Sequence, residues 1–92
     1  MARPTDLSTD RSCKEWLRHV TSLPGVPGQE HAAADGIEKA FRGVADRVER
    51  DRMGSVYAWI AGRGDAPRPL ALLAAHMDKI GFLVRSIEPG GF

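Results

Sequence analysis

Leu70-Ala71-Leu72-Leu73-Ala74-Ala75-His76-Met77-Asp78-Lys79-Ile80-Gly81-Phe82-Leu83-Val84 is the stretch on which the reading of this chain turns. Six consecutive apolar residues, opened by Pro69, lead straight into a histidine, with an aspartate two positions later. A short unbroken apolar run after a Pro/Gly-rich loop predicts a strand buried on both faces, as in a parallel or mixed sheet covered by helices. His76 and Asp78 then fall where that strand leaves the core, the end at which open α/β sheets place their ligands.

If the backbone stays extended through Met77, the period of two puts His76 and Asp78 on one face. A neutral imidazole is a common metal ligand, and a carboxylate on its second nitrogen fixes its tautomer and raises its basicity. The H-x-D spacing therefore reads as ligand plus orienter. The alternative is a structural histidine, hydrogen-bonded beside a core strand.

Working outward, Ile80–Ile87 predicts a fourth strand, with Gly81 permitting a bulge or close backbone approach beside the His/Asp pair. On the other side, Gly62–Arg68 reads as an exposed turn. Ser55–Ala61 is a strand rich in β-formers, and Val44–Arg50 is an edge strand with mostly polar faces. Asp51-Arg52-Met53-Gly54 joins the two as a hairpin turn.

Two helices precede the strands. Cys13, Trp16, Leu17, Val20 and Leu23 recur at helical spacing over Asp10–Leu23, leaving His19 off the stripe and solvated. Thr9 or Asp10 can cap this helix, and Ser12 to Glu15 has capping-box spacing for a later start. The second helix runs from about Gln29 to Gly43, with Ala33, Gly36, Ile37, Ala40, Phe41 and Val44 inward and His31 exposed in its first turn. Glu30 suits its positive end, and Lys39 and Arg42 its negative end. Between the helices, Pro24-Gly25 and Pro27-Gly28 impose stiff turns. Residues 1–9 are polar and expected to fray. The fold class is α/β: two N-terminal helices followed by four strands of a mixed sheet.

Ninety-two residues make at most one small domain with a thin stability margin. A net charge of +1, with the arginines scattered, argues against nucleic-acid or membrane-surface partners driven by charge. Cys13 is the single cysteine, which excludes an internal disulfide and a cysteine-rich metal site and makes a reducing, cytoplasmic setting the default. There is no signal-peptide core at the N-terminus and no apolar run long enough for a membrane span. Glu88-Pro89-Gly90-Gly91-Phe92 looks like a turn leading into a further strand, so the chain is expected to stop in mid-fold.

Ala75-His76-Met77-Asp78-Lys79-Ile80-Gly81-Phe82-Leu83-Val84 closely resembles the first metal-site motif of the glutamyl aminopeptidases, the family of tetrahedral and deblocking aminopeptidases of which some members carry the name endoglucanase. Pro24-Gly25-Val26-Pro27-Gly28-Gln29-Glu30 resembles that family's Pro-Gly-x-x-Gly-x-Glu segment, and Asp51–Val56 its Asp-x-x-Gly-x-Val turn. The three landmarks come in the family's order over roughly residues 13–92.

The resemblance implies the first part of a zinc-aminopeptidase-like α/β domain. It implies a two-metal hydrolase, with zinc or cobalt, that removes N-terminal residues from peptide substrates and assembles as a homo-oligomer. The motif histidine maps onto His76 as metal ligand, and the motif aspartate onto Asp78 as the partner that orients it. The bridging aspartate, the remaining ligands, the catalytic glutamate and the dimerisation domain would all lie beyond residue 92. Residues 10–92 are thus expected to be an incomplete catalytic domain, inactive alone.

Lys79 departs from the family pattern, which commonly has an acidic residue there. It sets a positive charge beside a prospective cation site, and the alternation along the strand points it outward. The rival reading is a non-catalytic chain, either a truncated gene product or a subunit that only pairs with a full-length or complementary chain. A glycosidase or deacylase is disfavoured, since no carboxylate pair stands at a strand end.

Overall fold

In a computed structural model, residues 10–91 are described. The elements are α1 (Asp10–Ser22), α2 (His31–Arg42), β1 (Arg47–Arg50) and β2 (Val56–Trp59). The expected fraying of residues 1–9 lies outside the described residues.

α1 ends where its sequence stops favouring a helix. The hydroxyls of Thr21 and Ser22 donate back to the Leu17 and His19 carbonyls, both at 2.7 Å, and Leu23 precedes a proline, which disfavours helical backbone. The Pro27-Gly28 pair then makes a type II turn. Gln29 N–H donates to the Val26 carbonyl at 2.8 Å, and Gly28 takes the positive φ of +84° that the third turn position requires. α2 begins at His31, with Glu30 in the N-cap position. The Glu30 carboxylate accepts the Gly28 N–H at 2.8 Å beside the positive end of the helix.

Small residues let α2 and the loop that follows α1 approach. A Cβ on Gly36 would sit 2.6 Å from a Leu23 methyl, and one on Gly25 would sit 3.3 Å from the Ala33 Cβ. Ala33 and Ala34 are the buried apolar side chains of the described residues, at 3% and 2% exposed. The inward stripes are shallower than their spacing predicts. Trp16 and Val20 are half-buried, whereas Leu17 and Val44 are 56% and 49% exposed and Cys13 is exposed.

The predicted hairpin forms, antiparallel, pairing Arg47 with Trp59 and Arg50 with Val56. Val48, Val56 and Ala58 are half-buried on the face that meets α2. Arg50 ties that face to α2, its guanidinium lying 2.8 Å from Asp35 and 2.6 Å from Glu38. On the other face Arg47 stacks over Trp59 at 5.0 Å. The turn is closed by Gly54 N–H donating to the Asp51 carbonyl at 3.1 Å, with Gly54 at φ +90° in the bulge position of a three-residue hairpin loop.

Beyond β2 the expectation of a four-stranded mixed sheet is corrected. Among the described residues the sheet has two strands. The run expected to be buried on both faces is open, with Leu70 and Leu72 each 83% and Leu73 96% exposed. The expected fourth strand is open too, with Phe82 97% and Val84 82% exposed. The reason is one of layers. A strand buried on both faces needs paired neighbours and a covering layer on each side, and α2 already lies on the hairpin. The chain's accessible surface of 8645 Å² at 10.0 kDa far exceeds the roughly 5,200 Å² of a compact monomer of that mass.

Candidate functional site

His76 and Asp78 are brought together as the period of two requires. His76 Nδ1 lies 2.9 Å from Asp78 Oδ1 and 3.1 Å from the Asp78 backbone carbonyl oxygen. A carbonyl can only accept, so Nδ1 carries a hydrogen, and in the neutral ring Nε2 is then the nitrogen with the lone pair. The histidine side chain is 85% exposed and that of Asp78 40%. The ring is therefore not packed under apolar neighbours as a structural core histidine would be.

The pair stands at the edge of a concavity of about 260 Å³. Glu30 and His31 at the start of α2 line one part of it, and Arg50 and Ser55 of the hairpin another. His31, read from the sequence as merely exposed, thus shares a cleft with His76. The two are 45 positions apart, so no local spacing could have shown it.

Three local devices hold these walls. Asp51 organises the turn below Ser55, its Oδ1 accepting the backbone N–H groups of Met53 and Ser55, both at 2.9 Å, and its Oδ2 the Tyr57 hydroxyl at 3.1 Å. Desolvation pushes the Asp51 carboxyl up, but the hydrogen bonds from Ser55, Tyr57, Met53 and Gly54 together outweigh it and hold the pKa below the usual carboxylate value. The hydrogen bond to Asp35 raises the pKa of Arg50; partial desolvation opposes it and the charge of Glu38 adds to it, so this residue is a fixed cation. The third device is Lys79, whose N–H donates to the Gly25 carbonyl at 2.8 Å and whose ammonium donates to the Thr21 carbonyl at 3.1 Å. Lys79 therefore turns onto the end of α1 rather than simply outward.

The donor set is partial. Among the described residues no group of three His, Cys, Asp or Glu side chains is placed to hold a metal ion, whereas a catalytic zinc site takes three protein ligands and a water. With Asp78 Oδ1 engaged on Nδ1, the pair offers at most Nε2 of His76 and Oδ2 of Asp78, short of three protein ligands. No helix among the described residues is long and apolar enough to cross a membrane.

Residues 54–92 match the family model of the M42 glutamyl aminopeptidases. SgcX of Escherichia coli (strain K12), named as an aminopeptidase, is 43% identical over 82 residues, which covers 88% of this chain and 21% of that protein. The lysyl aminopeptidase of Pyrococcus furiosus is 38% identical over 79 residues, covering 85% of this chain and 22% of its own length. The chain thus spans about a fifth of the length of the curated relatives it matches. No solved structure matches it. The matched stretch runs from the hairpin turn through His76 and Asp78, and in sequence it is similar to the M42 glutamyl aminopeptidases.

Proposed function

We propose that this chain contributes to a metal-dependent aminopeptidase, supplying His76 as a ligand and Asp78 as the residue that orients it. The observation that carries the reading is the hydrogen bond at 2.9 Å between His76 Nδ1 and the Asp78 carboxylate, within the stretch that matches the M42 family. It leaves Nε2 as the nitrogen for a divalent cation, zinc or cobalt, one of a pair whose chemistry is to activate water and polarise a peptide carbonyl. His76 binds, Asp78 fixes its tautomer and aim, and the cleft beside α2 admits the peptide's N-terminal end. The 92 residues alone do not turn over, because the pair falls short of the three protein ligands of a catalytic metal. A homo-oligomer in a reducing cytoplasmic setting completes the proposal.

A second reading is favoured by the open apolar segment from Leu70 to Ile87, namely a non-catalytic chain that pairs with a full-length or complementary one. The experiment that separates them measures zinc and cobalt uptake together with hydrolysis of an aminoacyl chromogenic substrate. The first reading expects weak metal uptake that His76→Ala abolishes, and turnover only when a complementary chain is added. Metal uptake indifferent to His76→Ala, with no turnover in any combination, overturns it in favour of the second.

A further inference from the structure

The segment that carries His76 and Asp78 is flanked by chain with no strand partner among the described residues, at 70–75 and 80–87. Something else must set where the pair points. The residues just past the pair supply the answer. Ala75, His76, Met77 and Asp78 line the cleft, while Lys79 and Gly81 lie against the loop between the helices. A Cβ on Gly81 would run into the Val26 side chain, and one on Gly25 would sit 3.6 Å from the Met77 carbonyl oxygen.

The geometry points to Lys79 as a positioning residue that clamps the His76–Asp78 pair against the helical layer. The inference rests on the reading of His76 as a ligand, but its test uses no metal. Lys79 grips the scaffold twice, through its own N–H to Gly25 and through its ammonium to Thr21, a residue 58 positions earlier. Thr21 is in the last turn of α1, where carbonyls lack helical partners and the macrodipole presents negative charge. A cation suits that acceptor and a carboxylate there would be repelled, so an acidic residue at this position could not make the same grip. The positive charge beside the prospective cation site is thereby drawn toward the helix end. Because Nδ1 of His76 is bonded to both the carboxylate and the backbone carbonyl of Asp78, the ring's tautomer depends on the backbone that Lys79 pins.

The test compares the 92-residue wild type with Lys79→Met and Lys79→Arg, reading two nuclear magnetic resonance signals at alkaline pH. These are the ring-nitrogen signature of the His76 tautomer and the hydrogen-exchange protection of the residue-79 amide. Lys79→Met is expected to lose about tenfold in protection and to move the ring away from the Nδ1–H form, with helical circular dichroism unchanged. Lys79→Arg, which keeps a cation at the helix end, is expected to retain both signals. A Met variant with both signals intact, or an Arg variant as damaged as the Met variant, overturns the proposal. Should Lys79→Met not fold, the wild type decides: a residue-79 amide no better protected than those of Leu83 and Val84 overturns the clamp, and clear protection supports it. A failure of metal uptake at His76 would leave these signals untouched, so the two readings fail separately.

Discussion

His76 presents its Nδ1 hydrogen to two oxygens of a single residue, the carboxylate and the main-chain carbonyl of Asp78, at 2.9 and 3.1 Å. The main-chain acceptor survives any substitution at position 78, so the two residues are not equally sensitive. His76→Ala is expected to abolish metal uptake, whereas Asp78→Ala weakens it by about 10–100-fold, the usual effect of losing a ligand's orienting partner. Isothermal titration with zinc or cobalt checks both. Equal losses in the two variants would mean that Asp78 is itself a ligand.

The hairpin turn is acid-sensitive, with a sign fixed by Asp51. Its folded pKa lies below the ordinary 3.8, so its hydrogen bonds stabilise the turn fully above pH 3.8 and are lost as the pH falls through the folded value. Amide shifts of Met53 and Ser55 followed on acidification should report the loss together. In Asp51→Ala the turn is weaker at neutral pH and the acid transition of these amides is absent.

Gly54 and Gly62 make a matched pair of probes. Gly54 holds φ +90°, which a Cβ opposes, so Gly54→Ala is expected to cost about 1–2 kcal/mol. Gly62 has no such φ, and a Cβ there would meet only the Arg68 side chain at an ordinary 3.8 Å, so Gly62→Ala is near neutral. Thermal denaturation of the two variants side by side is the measurement.

The open apolar segment predicts concentration-dependent self-association. Leu73 is 96% and Phe82 97% exposed, and an uncovered apolar run with free backbone groups is a template for pairing. Leu73→Lys combined with Phe82→Lys should shift sedimentation toward the monomer while leaving the helical signal unchanged. A chain monomeric at all concentrations without these changes would contradict the prediction.

The two helices, the hairpin, the stiff turns between Pro24 and Gln29 and the His76–Asp78 pairing were legible in the chain by itself, because each depends on neighbours a few positions away. Helical spacing, a proline beside a helix end, a glycine at a positive-φ turn position and the two-residue period are all local rules. What the tertiary structure decided is what lies against what. It put His31 in the cleft with His76, turned Lys79 onto the end of α1, and left the apolar side chains of Leu70–Leu73 and of Phe82–Ile87 exposed where an apolar run alone predicts burial. Hydrophobicity states that a segment gains by leaving water; whether it does so depends on a second surface being there to receive it, and no pattern within the segment carries that information.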